Sequence, residues 1–555
     1  MIGKYRRNAA IVLLLFLLPL LWFGPVALGG KTLLPVDNLF VFEPWASYAA
    51  GQGVTVPHNE LLSDLILENY VWKRLIREAI QARDLPLWNP YLFAGVPFLA
   101  AGQHSALYPP SLLFYVLPLS RAYGLFTWLQ IGLAGICMYV FARVLRMRRL
   151  AALLAAMVYM FSGFFIVSVV FAMIIAAATW LPLLLACIEI MVRKQEEKGN
   201  VQYLPVPYMV AGALVLGVQT LAGHIEITYY TLLVAGFYAV WRLTQLWRRL
   251  GTPRPALRLA AWLLAMIGLG LTLGAVQLLP LYELVSSSFR QGSVGYDEVV
   301  GWAWPARQIL TFFVPDIFGN PSQHMYWDLW SRAWQRPANA AGGPVRAIFW
   351  GVKNYVEGGN YVGILTMLLA VVAVVSQFLG RGKGNEAGER GGRGAGERRG
   401  TEAEEHPCTL APPHLRTDGR QVGLFAVLGV LSLLFAFGTP LYALLFYGLP
   451  GYKQLHSAFR WVFPYTLSIA VLAGIGFQVP GSRFQVSGSN LRDRRPAPLS
   501  PTPYPLTLVL GWLSLLGGVG VLALLAANLF VPAPFITLGQ FILDRSNLAQ
   551  AVFAA

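Results

Sequence analysis

Long apolar runs, rather than short alternating stretches, set the pattern of this chain. Residues 9–29, 121–142, 150–168, 171–192, 203–222, 226–247, 258–281, 360–380, 421–439, 457–479 and 505–531 are each largely apolar. A bilayer core of about 30 Å needs about 20 such residues per helix. Strands of a membrane barrel would alternate polar and apolar positions instead. The pattern predicts an all-α polytopic integral membrane protein with about eleven transmembrane helices, in a range of about ten to thirteen.

Two segments depart from it. Residues 61–84, LLSDLILENYVWKRLIREAIQARD, carry apolar positions at helical spacing with charges opposite. They predict an amphipathic helix lying on the membrane surface. Residues 105–119, SALYPPSLLFYVLPL, are apolar but short, and they contain three prolines. They predict an interfacial or re-entrant element rather than a span.

Composition sharpens the picture. Hydrophobic residues make up 56% of the 555 residues, and charged residues only 12%. Soluble domains carry about 25% charged residues. A water-soluble globular enzyme is excluded, and so is disorder throughout. The formal net charge is +16, and the bases fall in clusters. Arg143, Arg146, Arg148 and Arg149 follow the second run, and Arg193 and Lys194 the fourth. Arg242, Arg248, Arg249, Arg254 and Arg258 surround the gap after the sixth. Arg381, Lys383, Arg390 and Arg393 follow the eighth, and Arg483, Arg492, Arg494 and Arg495 the tenth. If the spans alternate from a cytoplasmic N-terminus, every cluster faces the cytoplasm and membrane lipid. The first run, preceded by Lys4, Arg6 and Arg7, reads as an uncleaved signal anchor. The C-terminus is then extracytoplasmic. No basic patch is interleaved with aromatics, so nucleic acid is not an expected partner.

The expected organisation is a bundle over 1–380 with outer loops at 30–120 and 282–358. A linker at 381–420, rich in glycine and charge, leads to further helices over 421–531. Those helices are interrupted by an Arg-, Ser- and Pro-rich linker at 480–503 and followed by an outer tail at 532–555. Neither linker can form a packed core. No exact internal repeat appears, so an inverted-repeat transporter is not indicated.

Candidate chemistry is sparse. Cys137, Cys187 and Cys408 imply no disulfide framework. No zinc-ligand spacing, phosphate-cradling loop or nucleophile elbow is present. Carboxylates beside membrane helices are costly and need a reason. Asp37 follows the first span, either as a general base or as a solvated turn residue. Asp64 opens the amphipathic segment, either as a second base candidate or, with Ser63, as its N-cap. Glu43 is a weaker candidate. His224 and Glu226 stand at a helix break marked by Gly223, which predicts close backbone approach. They could orient a substrate hydroxyl or an ion, or simply cap helix ends. Glu283, Arg290 and Arg460 sit at helix ends on the side that carries the acids. An arginine there can bind phosphate through its planar fork, or snorkel without function. Lys353 clusters with Tyr355, Glu357, Asn360 and Tyr361.

Six strings in order carry a family resemblance. They are DLPLWNPYLFAGVPFLA (84–100), LYPPSLLFYVLP (107–118), AGHIEITYY (222–230), YELVSSSFR (282–290), NYVEGGNYVG (354–363) and FGTPLYALLFYGLPGYKQLHSAFRWVFP (437–464). Together they resemble the YfhO-like bacterial membrane proteins, over about residues 31 to 480. That family is similar to the GT-C glycosyltransferases. The resemblance implies a GT-C-like fold with a large first extracytoplasmic loop in the cytoplasmic membrane. It also implies inverting transfer of a sugar from a polyprenyl-phosphate donor to an envelope glycan, lipid or protein. The family's acidic residue after the first span falls on Asp37, with Asp64 next in the same loop. Arg460 matches a Phe-Arg pair expected to meet lipid phosphate, and His224 matches a Gly-His pair. A Gln often stands where Glu226 stands here, and chains of the family often continue with more spans than this one. Asp37, failing that Asp64, would be the base. His224, Glu226, Glu283, Arg290, Lys353 and Arg460 would bind substrate. No metal ligand is predicted, although a divalent metal could assist at the phosphate. Two alternatives stand beside this: a translocase of lipid-linked sugar or envelope polymer, and a non-catalytic scaffold. Few ionisable residues lie in mid-span, which favours a one-sided site over a path through the bilayer.

Overall fold

The first apolar run does not form one straight rod. In the computed structural model, which describes residues 2–54, 59–288, 294–322, 326–328, 333–335, 355–391, 419–455 and 457–481, it is split into α1 (Ile2–Leu17) and α2 (Leu20–Ala27). The two are bent by 56° around Pro19, which has no N–H to continue the helical ladder. The first long loop holds α3 (Tyr70–Gln81) and the short α4 (Leu112–Val116). Then come α5 (Leu119–Val144), α6 (Arg149–Met160), α7 (Gly163–Val167), α8 (Ala172–Ala178) and α9 (Leu181–Lys198). Next are α10 (Val206–Leu221), α11 (Ile225–Leu250), α12 (Arg254–Leu273), α13 (Ala275–Ser286) and α14 (Tyr296–Gly301). The last described helices are α15 (Ile364–Gly391), α16 (Gly419–Ala436), α17 (Tyr442–Gly448) and α18 (Val462–Gly481). Two small antiparallel ladders, Trp88–Asn89 with Val96–Pro97 and Tyr326–Asp328 with Ala333–Gln335, lie in loops.

Every apolar run up to residue 479 coincides with a helix or a pair of helices. The run at 505–531 lies outside the described residues, as do the linker at 480–503 beyond Gly481 and the tail at 532–555. Among the described residues, five helical stretches are long and apolar enough to cross a membrane: Leu119–Val144, Arg149–Val170, Ala172–Lys198, Arg254–Leu273 and Ala458–Gln478. The bent pair α1–α2, counted as one span, makes a sixth. The run at 258–281 is divided between α12 and α13 at Gly274. Helix α15 runs on past residue 380 to Gly391, into the segment expected to be linker. Large apolar side chains such as Leu21, Val240, Leu257, Leu264, Leu279 and Leu365 face outward. That is the surface of a protein whose solvent is lipid.

Between helices in lipid, small residues and close packing replace the hydrophobic drive. A Cβ on Gly476 of α18 would stand 1.9 Å from the Leu369 carbonyl oxygen of α15, so only glycine permits that approach. The ends of the helices sort by charge. At one end Arg149 donates to Asn8 at 2.9 Å, the Arg148 N–H donates to Gln478 at 2.6 Å, and Arg193 donates to the Val144 carbonyl. Arg242 and Arg249 reach Glu196 at the same end, at 3.3 and 3.5 Å. The long loops gather at the opposite end.

Residues 61–84 do fold as helix, but the charged face is not all outward. Ile76 and Lys73 are both 1% exposed. The Lys73 amine donates to the His104 carbonyl and lies 4.4 Å from the centre of the Phe114 ring. The segment therefore packs into the protein through a basic residue that spacing alone assigns to the polar face. Burial pushes the Lys73 amine down to about 7. The unfolded chain then binds more protons than the folded chain between about pH 7 and 10.5, so stability contributed by this group rises with pH across that window. Lys73→Met is expected to flatten this rise and to raise the unfolding midpoint below pH 7. Midpoints measured over a pH series check it, and an unchanged slope would show that Lys73 is not held neutral.

Candidate functional site

A cavity of about 330 Å³ opens at the loop end of the bundle. It is assembled from turns of several separate segments, each tied down locally. Asp64 comes from the start of a π-helical turn, Leu65–Asn69, that leads into α3. That turn is anchored to α5 by the Tyr123 hydroxyl, which donates to Asn69 at 2.9 Å. The Asp64 side chain makes no capping bond to the turn. It is exposed and lines the cavity.

His224 comes from the α10–α11 turn. Gly223 has φ +86°, and a Cβ there would stand 2.0 Å from the Gly102 carbonyl oxygen. This close approach brings Gln103 of the first loop to the cavity beside His224. Ser105 reinforces it by donating to the Ala222 carbonyl at 2.7 Å. His224 caps α11, its Nδ1 accepting from the Ile227 N–H at 3.2 Å. Burial, and then the Arg460 charge, hold the imidazole well below its usual pKa, so it is neutral. With Nδ1 accepting, the ring proton sits on Nε2, which is a donor.

Arg460 comes from a 3-10 turn, Ala458–Trp461, at the head of α18. Tyr230 of α11 donates to the Ser457 carbonyl at 3.0 Å, and Trp461 donates to the Tyr452 hydroxyl at 2.8 Å. Arg460 Nε lies 3.1 Å from Glu226 Oε2, and the two side chains are 17% and 16% exposed. The contact is ionic rather than aligned, for neither Arg460 Nε nor Glu226 Oε1 completes a hydrogen bond. Glu357 enters from the turn Val356–Gly358, where Trp304 donates to its carbonyl at 3.1 Å. Phe164, Ser168, Phe171 and Met173 of the α7–α8 region form one wall.

A side arm continues from this cavity. Asp64, Gln103, Phe171 and Met173 also line a pocket of about 70 Å³ that adds Glu68, Asn69 and Trp72. Burial, and then the Asp64 charge, raise the Glu68 carboxyl above its usual range. Two carboxylates thus share this arm. Among the described residues no group of three or more His, Cys, Asp or Glu side chains could hold a metal ion. These residues offer no ready cage for a divalent cation.

Of the residues expected from sequence, Asp64, His224 and Arg460 meet at one cavity, and Glu226 joins through Arg460. Asp37 lies in a separate 3-10 turn, Val36–Val41, and is not among the lining residues. Glu283 is exposed on α13, away from the lining. Arg290 and Lys353 lie outside the described residues. Gln103, Glu68 and Ser168 were not singled out by sequence, and Glu357 only as one of a cluster. The spacing of four between Asp64 and Glu68 was the available signal, since residues so spaced share a helix face.

No curated protein and no solved structure matches the chain. A family model does match: residues 104–314, which include His224, Glu226 and the α5–α13 bundle, are similar to the family described as bacterial membrane protein YfhO.

Proposed function

We propose that this chain is a GT-C-type glycosyltransferase of the cytoplasmic membrane. It would transfer a sugar from a polyprenyl-phosphate donor to a cell-envelope acceptor. The observation that carries the reading is the meeting of a carboxylate, a neutral histidine and an arginine at one cavity. That cavity lies at the end of the bundle opposite the clustered arginines. The excess of basic residues at the other end supports a cytoplasmic orientation for that end. The N-terminus is then cytoplasmic and the cavity extracytoplasmic.

The chemistry follows from the groups present. Arg460 holds the donor phosphate, which leaves with the electron pair of the broken C1–O bond. Its guanidinium is in ionic contact with Glu226 without an aligned hydrogen bond, so its donors can turn to phosphate. Asp64 accepts the proton of the acceptor hydroxyl as the new C1–O bond forms on the opposite face. One displacement with one base inverts the anomeric centre. His224, donating from Nε2, orients a sugar hydroxyl or phosphate oxygen.

The test is transfer by the purified full chain in sealed vesicles, with radiolabelled polyprenyl-phosphate sugar and extracted envelope acceptors. Arg460→Gln is expected to lower the transfer rate about 10²–10³-fold. Lysine is expected to rescue only partly, because it lacks the planar fork. Movement of the labelled lipid across the vesicle without a new glycosidic bond would replace this reading with a translocase. No activity of either kind with any acceptor would leave a scaffold.

A further inference from the structure

We infer that a second cavity, distinct from the one lined by Arg460, is a binding site for a hydroxyl-bearing amphiphile. This cavity has a volume of about 410 Å³ and is lined by Trp22, Phe161, Ile166 and Val167 on its apolar side. Gln308 and Asn360 stand on its polar side. The volume lies in the range of small-molecule sites, and a mostly apolar lining with a few placed polar groups is their usual composition.

The two cavities are separated by a thin wall of backbone. The Gly163 N–H donates to the Tyr361 carbonyl at 2.7 Å, joining α7 to the 355–361 segment. A Cβ on Gly359 would meet Val167 Cγ2 at 2.5 Å, and one on Gly163 would meet the Tyr361 carbonyl oxygen at 3.0 Å. Only two glycines allow the segments to lie this close. Phe164 and Ser168 of the same stretch face the first cavity, while Ile166 and Val167 face the second.

The polar side identifies the ligand. Gln308 and Asn360 are 0% and 1% exposed. Asn360 is engaged, its Oδ1 accepting from Thr311 at 3.0 Å. Gln308 Nε2 donates to the Gly358 carbonyl at 3.4 Å, but Gln308 Oε1 is buried and receives no hydrogen bond. A buried acceptor left without a donor is costly, and such groups call for a partner. The apolar side identifies the route. Trp22 packs edge-on against Phe161 with ring centres 4.5 Å apart, and Leu21 and Trp22 are both exposed beside the 56° bend of α1–α2. A molecule entering there comes from lipid, places a chain against the aromatic wall and donates its hydroxyl to Gln308. This assignment does not rest on the role proposed for Arg460.

The test uses the purified full chain in nanodiscs and two photoreactive probes. One is dodecanol carrying a chain diazirine, and the other is the matched alkane lacking the hydroxyl. The alcohol should label peptides containing Trp22, Phe161–Val167 or Tyr355–Tyr361. Gln308→Leu should cut alcohol labelling about tenfold, the effect of one lost hydrogen bond, and leave alkane labelling unchanged. Its unfolding midpoint without probe should match wild type, which separates lost binding from lost fold. Val167→Trp, which fills the cavity, should abolish labelling by both. Equal labelling by alcohol and alkane, or labelling spread over outward-facing helices in wild type and variants alike, would overturn the site. Displacement of the alcohol by excess glycerol would overturn the amphiphile in favour of a small polyol.

Discussion

Asp64→Asn is expected to slow sugar transfer about 10²–10⁴-fold, the range for loss of a positioned general base. Asparagine keeps the size of the side chain and its place at the cavity, but it cannot take a proton. The KM for the donor should stay close to wild type, because the proposed phosphate contact is made by Arg460 and not by Asp64. Asp37→Asn in the same assay is expected to transfer at the wild-type rate, since Asp37 sits in a separate turn and does not line the cavity. The pair of variants distinguishes two acids that sequence places in one loop. Reversal of the two results would move the base to Asp37 and strip the cavity of its catalytic role. Glu68→Gln is the internal control for the side arm, because Glu68 shares that arm with Asp64.

The sequence made the helices legible because lipid demands long apolar runs, and every run to residue 479 coincides with helix. It also made the glycine at 223 legible, since a break before a polar His-x-Glu is rare in a span. Four features were not legible, each for a physical reason. The 56° bend at α1–α2 turns at Pro19, but a proline marks where a helix kinks and not the angle that results. Lys73 reads as a polar-face residue by spacing, yet a carbonyl and an aromatic ring receive it inside. Of Asp37 and Asp64, it is Asp64 that stands at the cavity with His224 and Arg460, at the head of a turn that Tyr123 ties to α5. That is a tertiary fact, and no spacing in the chain encodes it locally. Spacing likewise gave no hint that Glu226 would find Arg460, because their partnership depends on Tyr230 of α11 holding the 457–461 turn.

Glu189→Ala is expected to destabilise the fold by about 3–5 kcal/mol, the cost of removing one partner of a buried ion pair. Glu189 of α9 is fully buried. Its carboxylate takes Arg242 Nε at 2.7 Å and Nη2 at 3.1 Å, and the Tyr238 hydroxyl donates to it at 2.7 Å. Both partners belong to α11, so the loss would leave the phenol without its acceptor and the guanidinium with only Glu196, at 3.3 Å, and Gln245, at 2.6 Å. The double variant Glu189→Met with Arg242→Met should recover most of the loss, because a matched apolar pair carries no desolvation cost. Unfolding midpoints of the two single variants and the double variant in one detergent check this. Additive losses would show that the contact is not a coupled pair. The consequence reaches the cavity through α11 itself. That helix begins with His224 as its cap and Glu226 in its first turn, and it ends near Arg242 and Arg249. A clamp at the arginine-rich end therefore fixes the tilt of the helix that holds Arg460 through Glu226 at the other. A translocase that carried charge past α9 would need Glu189 to change partners. Bound by a two-pronged arginine and a tyrosine, it is instead a fixed post, and its removal should unfold the bundle before it alters any selective passage.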